Sequence, residues 1–353
     1  MDSNIPALEI TRLELPFEVW GLVVDELASS NAISPLKALG VTCHALQLPC
    51  QKIIFAKVSV FVRSTEWAGP EADLRNRQLL DILIRSPRVA NCIGHLNIRV
   101  GGQRCLTDSD AVPQIIFKLP SVTCLHLDIS RTDWAIMKKT PMASSAIDYL
   151  FSLPTLNELL LRKVVEMPVK KLSKIPNLKC LILDSATIDI GNSAIISGLK
   201  RPIPLCEIRA IGTGVASYPI LNPNLKLTSG SQALTISSFR TLDITGELNE
   251  ATRKTLLGAG APLKEVSLSL HRDLLFAEGI KPVAGTLKVL RIAVYEDFET
   301  LLPKLCEELK LLPLVLGQNL IEQLYLKFQF RKKLRIKYQQ QLGRTCKLAW
   351  STS

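Results

Sequence analysis

Aromatic residues are scarce in this chain, histidines number only four, and no cysteines or histidines are spaced to grip a metal. Phe, Trp and Tyr make up 5% of the 353 residues, so the composition offers no run of aromatics for stacking nucleic-acid bases. His44, His95, His126 and His271 are dispersed, and no His-x-x-x-His or His-Glu pair sets up a zinc site or a triad. The nine cysteines, an odd number, stand at 43, 50, 92, 105, 124, 180, 206, 306 and 346 without a C-x-x-C pair. That spacing indicates neither a disulfide framework nor a zinc ribbon, and the thiols read as small buried hydrophobes. Gly212-Thr213-Gly214 has no third glycine or following lysine, so it does not make a phosphate loop. No apolar run reaches the roughly 18 residues of a membrane span, and Met1-Asp2-Ser3-Asn4 lacks the basic and apolar regions of a secretory signal. The expectation is a non-enzymatic protein of the cytoplasm or nucleus, with no metal, no cofactor and no membrane partner.

What the chain does have is aliphatic patterning: 47% of residues are hydrophobic and 21% charged, a globular balance with enough length for two domains. The first sixty residues read as three short helices. Pro16 fits a first helical position, and Phe17, Trp20, Val23, Val24 and Leu27 follow at steps of three and four. Ser34-Pro35 repeats the start signal, with Leu36, Leu39, Cys43 and Leu46 on one face. Pro49 is placed to open a third helix carrying Ile53, Ile54 and Phe55, after which Val58, Val60 and Val62 alternate as in a half-buried strand. A unit of this size buries little, so part of its apolar surface is expected to remain exposed.

The run Leu15-Pro16-x-Glu18-Val19-Trp20, followed by Leu36, Leu39, Val41-Thr42-Cys43-His44 and Ile54-Phe55, resembles the F-box in the form seen in fungal F-box proteins, over residues 13–60. The resemblance implies contact with a Skp-family adaptor, and through it with a cullin scaffold of a ubiquitin ligase. It assigns that contact to Leu15, Pro16, Val19, Trp20, Leu36, Leu39, Val41 and Cys43. The alternative is that the same residues form a helical cap on the rest of the chain.

From residue 88 onward one phrase recurs in the form L-x-x-L-x-L, the strand phrase of leucine-rich repeats. Its clearest instances are Ile93-Gly-His-Leu96-Asn-Ile98, Val122-Thr-Cys-Leu125-His-Leu127, Leu156-Asn-Glu-Leu159-Leu-Leu161 and Leu178-Lys-Cys-Leu181-Ile-Leu183. Further instances centre on Leu242, Val266, Leu290 and Leu324. The gap from 181 to 242 leaves room for a degenerate unit around Cys206-Glu-Ile208-Arg-Ala-Ile211. Proline ahead of the phrase, at 120, 154, 176 and 262, removes no ladder hydrogen bond there. Helices are expected at 73–84, 144–151, 249–257 and 297–312, and a long irregular loop at 211–238.

The fold expectation is therefore α/β: an N-terminal three-helix F-box, then an irregular leucine-rich-repeat-like solenoid with a curved parallel sheet. The boundaries are a lead at 1–12, the F-box at 13–60, the solenoid at 61–330 and a basic segment at 331–353. An ordinary α/β domain with a parallel sheet is the competing architecture. Within the solenoid, the residues that alternate away from the leucines form a surface for a protein target, carried by Arg99, His126, Asp128, Arg162, Asp184, Asp243, Arg291 and Tyr325. Their mixed charge suits protein better than a phosphate track. The formal charge of +11 is local, because eight positive charges and no acidic residue follow Glu322, leaving 11 − 8 = +3 for the remainder. That tail reads as a solvated cap, with nuclear import, RNA contact or target contact as its alternatives. The function implied is a substrate receptor of a Skp-cullin-F-box ligase. A leucine-rich scaffold for a protein or RNA partner, without ligase activity, is the alternative.

Overall fold

Pro16 has an extended backbone (φ −53, ψ 147) and precedes helix α1 (Phe17–Ser29), its carbonyl accepting the N–H groups of Val19 at 3.0 Å and Trp20 at 3.3 Å. The proline thus caps the helix rather than occupying the first turn. At the other end Asn31 takes φ 54, its N–H donates to Ala28 O and that of Ala32 donates to Leu27 O. This paired closure with a left-handed residue satisfies two terminal carbonyls and stops the helix, and asparagine is among the few side chains that tolerate the conformation.

Helix α2 (Ile33–Thr42) starts one residue ahead of the Ser34-Pro35 signal and has no side-chain cap. Pro35 falls in the first turn, where its missing N–H has no intrahelical acceptor to lose. Cys43 is extended (φ −129, ψ 111) and separates α2 from α3 (His44–Ile54). Leu46 therefore belongs to the third helix, not the second, and Pro49 lies inside α3 rather than at its start. Val24, Leu36, Leu46 and Cys50 form the core, with Trp20, Leu27, Leu39, Cys43, Ile53 and Ile54 packed around it. Gly40 permits the approach of α2 to α3, since a Cβ there would lie 3.1 Å from the Cys50 Cβ.

The computed structural model describes residues 16–62, 71–101, 109, 111–129, 134, 141–189, 195–196, 205–211, 226–227, 241–245, 264–270, 287–294, 303, 305, 307 and 323–328. Two compact units divide the chain, Met1–Val58 and Ser59–Ser353. The second is built on a ten-stranded sheet of β1 (Lys57–Val62), β2 (His95–Val100), β3 (Cys124–Ile129), β4 (Glu158–Arg162), β6 (Cys180–Asp184), β9 (Glu207–Ile211), β11 (Thr241–Thr245), β12 (Glu265–Leu270), β13 (Val289–Val294) and β14 (Gln323–Phe328), in that order. Two-stranded pairs, β5 (Met167–Pro168) with β7 (Ile188–Asp189) and β8 (Ile195–Ile196) with β10 (Lys226–Leu227), lie outside it.

Spatial order follows chain order and never reverses, unlike a doubly wound sheet, whose strand order turns back at a switch point. The pairing from β2 to β14 is parallel and in step: Leu96, Leu125, Leu159, Leu181, Ile208, Leu242, Val266, Leu290 and Leu324 are successive cross-strand partners. Such additive stacking, in which each unit meets only its neighbours, is the logic of a repeat solenoid. The degenerate unit expected near Ile208 is β9, between β6 and β11.

The same paired hydrogen bond recurs at five of the strand steps. Thr123 and Cys124 both donate to Gly94 O, Asn157 and Glu158 to Thr123 O, Lys179 and Cys180 to Asn157 O, Cys206 and Glu207 to Lys179 O, and Lys288 and Val289 to Lys264 O. The first leucine position of the phrase is fully buried at Ile93, Val122, Leu156, Leu178, Leu205 and Leu287, as are Leu96, Leu125, Leu159 and Leu181. Strand alternation turns Leu96 and Ile98, and their equivalents in later strands, onto one side of the sheet, while the first position lies ahead of the strand in the turn that feeds it. At the ends of β4 and β6, Lys163 and Ser185 repeat a left-handed turn (φ 53 and φ 52).

Helices α4 (Glu71–Arg85), α5 (Pro87–Ala90), α6 (Ala111–Phe117), α7 (Pro141–Ser152) and α8 (Val169–Leu172) return the chain between strands. Among them α4 and α7 overlap the helices expected at 73–84 and 144–151. Helix α6 is apolar nearly throughout, with Ala111, Val112, Pro113, Ile115 and Ile116 buried, so it shows no amphipathic period to read. The helix expected at 249–257 lies outside the described residues, as does most of that at 297–312, where residues 303, 305 and 307 are helical. Most of the 211–238 segment, the 1–12 lead and the 331–353 tail are also outside them.

Two polar contacts hold this scaffold. Asn76 of α4, 2% exposed, donates from Nδ2 to Phe61 O at 2.7 Å and accepts from Phe61 N–H at 3.4 Å. Val62 O accepts from Gly101 N–H on the β2 side, so the neighbouring Phe61 peptide faces the opposite, outer edge of β1. Asp148 of α7 accepts from Lys171 of α8 and from Lys174 at 2.7 Å. Burial pushes its carboxyl up, but those two ammonium groups outweigh burial and hold it below the ordinary carboxylate range.

Asn76→Leu removes both bonds to Phe61 and is expected to lower the stability of the sheet unit by about 2 kcal/mol, measured by urea unfolding. An unchanged midpoint would contradict the role given to Asn76. Because the folded Asp148 carboxyl titrates below its unfolded value, its contribution is present above the unfolded value and is lost as pH falls through the folded one. The stability gap between the wild type and Asp148→Asn should accordingly be widest near neutral pH and close in acid.

Candidate functional site

Each unit presents a surface of its own. On the helical unit large apolar side chains stand in solvent: Val41 is 86% exposed and Leu22 69%, with Leu48, Ile33 and Val19 also exposed. The small core of Val24, Leu36, Leu46 and Cys50 leaves this apolar surface uncovered. Of the positions assigned by resemblance, Val41, Val19 and Pro16 are exposed. Trp20, Leu39 and Cys43 are half-buried against the helical core. Leu36 is 0% exposed and so supports the face from beneath instead of touching a partner. Leu15 lies outside the described residues.

On the sheet the leucine rows face one side, leaving the alternate residues on the other. One cross-strand row runs Arg99, Asp128, Arg162, Asp184, with charge alternating at each strand. Arg162 bridges two carboxylates, with Nε 3.1 Å from Asp184 Oδ2 and Nη1 3.8 Å from Asp128 Oδ2. The row beside it begins Asn97, His126, Leu160, Ile182, and Ile182 is only 7% exposed. Arg99 lies over the Phe61 ring, 5.7 Å from its centroid. Further along, Arg291 pairs with Glu265 and sits 5.2 Å from the Tyr325 ring centroid. Asp243 is in β11 between Arg209 and Ser267; its side chain is not among those described.

Burial lowers the affinity of His126 for a proton; Asp128 opposes this, while Arg99, His95 and Arg162 reinforce it, so the ring is held neutral below its ordinary range. Cys180 sits between Glu158 and Glu207 in the cross-strand row. Burial, then those two carboxylates, push its thiol up to about 12, so it is protonated at neutral pH and is a poor nucleophile. Among the described residues no group of three or more His, Cys, Asp or Glu is placed to hold a metal ion, and no helix is long and apolar enough to cross a membrane.

No family model matches the chain. No curated protein matches it either. Among solved structures, it is similar to an internalin from Listeria monocytogenes at 12% identity, over 70% of this chain and 78% of that one, with a TM-score of 0.29. A likeness of that degree adds nothing to the fold described above, which rests on strand order and register.

Sequence reasoning missed Leu22, Leu48 and Ile33 on the helical face and Asn97 as a buried polar group. Leu22 and Leu48 carry a signal in principle, since they fall off the i, i+3, i+4 stripe of their helices, whereas Ile33 stands on the stripe of Leu36 and Leu39 and gives none. Asn97 carries none, because alternation assigns it to a solvated face and gives no hint that Asn97 itself is 92% buried (8% exposed).

Arg162→Leu leaves Asp128 and Asp184 without their shared cation. Since Arg162 is one of the groups holding His126 neutral, the ring should titrate at higher pH in the variant, followed by imidazole proton NMR. Arg162 is 43% exposed, so the accompanying stability loss should stay at about 1 kcal/mol or less. A midpoint that stays or falls would refute the electrostatic assignment.

Proposed function

We propose that the chain is a non-catalytic receptor subunit in which the three-helix unit docks a Skp-family adaptor, and through it a cullin scaffold, while the sheet face holds a protein target. The observation that carries the first half is the exposed apolar face around Val41, Leu22, Leu48 and Val19, on the segment whose sequence resembles an F-box. A face of this kind is stabilised by burial against a partner, at roughly 25 cal/mol per Å² of apolar area. Support for the second half comes from the mixed charge of the Arg99–Asp184 row, which offers a protein complementary groups of both signs and would repel as much phosphate as it attracts.

In this reading no nucleophile is required. The receptor places target lysines at high effective concentration beside a ubiquitin thioester held elsewhere in the assembly. A second reading keeps the sheet as a binding scaffold without ubiquitin chemistry, and the two separate on the adaptor.

The test is co-expression with a Skp-family adaptor and size-exclusion chromatography. The wild type is expected to give a one-to-one complex. Val41→Asp, which alters an 86% exposed side chain and should leave the helices intact by circular dichroism, is expected to weaken it by about thirtyfold or more. Leu15→Ala with Pro16→Ala should act in the same direction. A folded wild type that forms no complex eliminates the receptor reading and leaves the scaffold.

A further inference from the structure

Three polar atoms on β2 and β3 are shut off from solvent and have no hydrogen-bond partner, Asn97 Oδ1, His126 Nε2 and Asp128 Oδ1, and beside them on β4 the Arg162 Nε is also enclosed, with only its ion pair to Asp184. Asn97 is 8% exposed, and its Nδ2 is committed to Ser59 Oγ at 3.3 Å, so the amide oxygen is the end left over. Leu96 and Ile98 on either side point into the core, which turns Asn97 to the polar face. His126 is its direct cross-strand partner, and Asp128 is the next residue along that face of β3. Cross-strand neighbours stand about 4.8 Å apart and same-face residues about 6.6 Å apart, so the three side chains share one spot. A buried acceptor without a donor costs about 1–3 kcal/mol, and three together imply a donor that belongs there.

The chemistry of that donor follows from number and charge. Asn97 Oδ1 and Asp128 Oδ1 can only accept, and the neutral His126 ring accepts at Nε2 when its proton is on Nδ1. Beside them two carboxylates, Asp128 and Asp184, share the single Arg162 guanidinium, which lies nearer Asp184 (3.1 Å) than Asp128 (3.8 Å). These three carry one negative charge, weighted toward Asp128, which Arg99 opposite Asp128 offsets while it stays there. At these three atoms a phosphate or carboxylate would meet only acceptors. A primary ammonium brings three donors and one positive charge.

We propose that Asn97, His126 and Asp128 form a receptor for the ammonium of a lysine side chain presented by a protein target. This rests on the reading of the sheet face as a target-binding surface and gives that surface a specific anchor. Arg99, exposed and opposite Asp128 in register, lies over the Phe61 ring. It is also a like charge that the ligand must overcome.

The probe is the peptide Ac-Gly-Lys-Gly-NH2, titrated into the full chain labelled with 15N-histidine, with the His126 ring resonances as readout. Norleucine and acetyl-lysine versions of the peptide keep the stem and remove the charge. The lysine peptide should shift the His126 signals saturably, and the two neutral peptides should not. Asp128→Asn should weaken binding about tenfold or more. Arg99→Ala should tighten it, a change opposite in sign that general unfolding cannot imitate. Equal response to norleucine and lysine, no saturable shift by about 10 mM, or indifference to Asp128→Asn would each overturn the proposal and leave the spot as a water position. No adaptor is present in this experiment, so its failure leaves adaptor docking untouched, and a failure of adaptor docking leaves this anchor standing.

Discussion

The register of the larger unit's sheet rests on a shared carbonyl at five of its strand starts. At successive strand starts, two consecutive N–H groups of one repeat converge on a single oxygen of the repeat before it, from Gly94 through Thr123, Asn157 and Lys179, and again at Lys264. That contact fixes where each strand begins relative to its predecessor. Because side chains alternate with period two, a slip of one residue would turn the leucines outward and the charges inward. The bond at the strand start and the burial of the first leucine, at Ile93, Val122, Leu156, Leu178 and Leu205, choose the same register, and such agreement between local and long-range preference gives a repeat protein one structure.

Register also composes the face. Rows form only when equivalent positions line up, and the alternation of Arg99, Asp128, Arg162 and Asp184 is a property of four strands that no single strand possesses. The helical unit is organised otherwise. Its small core is closed by helix-end chemistry at Asn31 and by the close approach at Gly40, and several large apolar side chains stay outside that core.

Most of the sheet was legible in the amino-acid sequence because the repeat phrase reports burial directly: its leucine positions are the buried ones, and even the weak unit at Ile208 takes its place in the ladder. Helix limits were less legible. Pro16, Pro35 and Pro49 all suggest starts, yet the extended backbone at Cys43 decides where α2 ends and α3 begins, and proline within one turn of a start is compatible with several boundaries. Helix α6 was missed because an apolar stretch has no period. The buried state of Leu36 and of Asn97 was hidden for a common reason: the depth of a side chain depends on what packs over it, and that comes from residues far away in sequence.

The amide of Asn76 occupies both hydrogen-bonding groups of the Phe61 peptide on the outer edge of β1. An open strand edge is a template on which another chain can pair, and sheets of this length carry that hazard at each end. With this peptide already engaged by a side chain from α4, an incoming strand would have to displace a bond 2.7 Å long before it could begin to zip. The first strand is thereby guarded at this peptide against edge-to-edge association, and the guard comes from the helix that follows it in the chain.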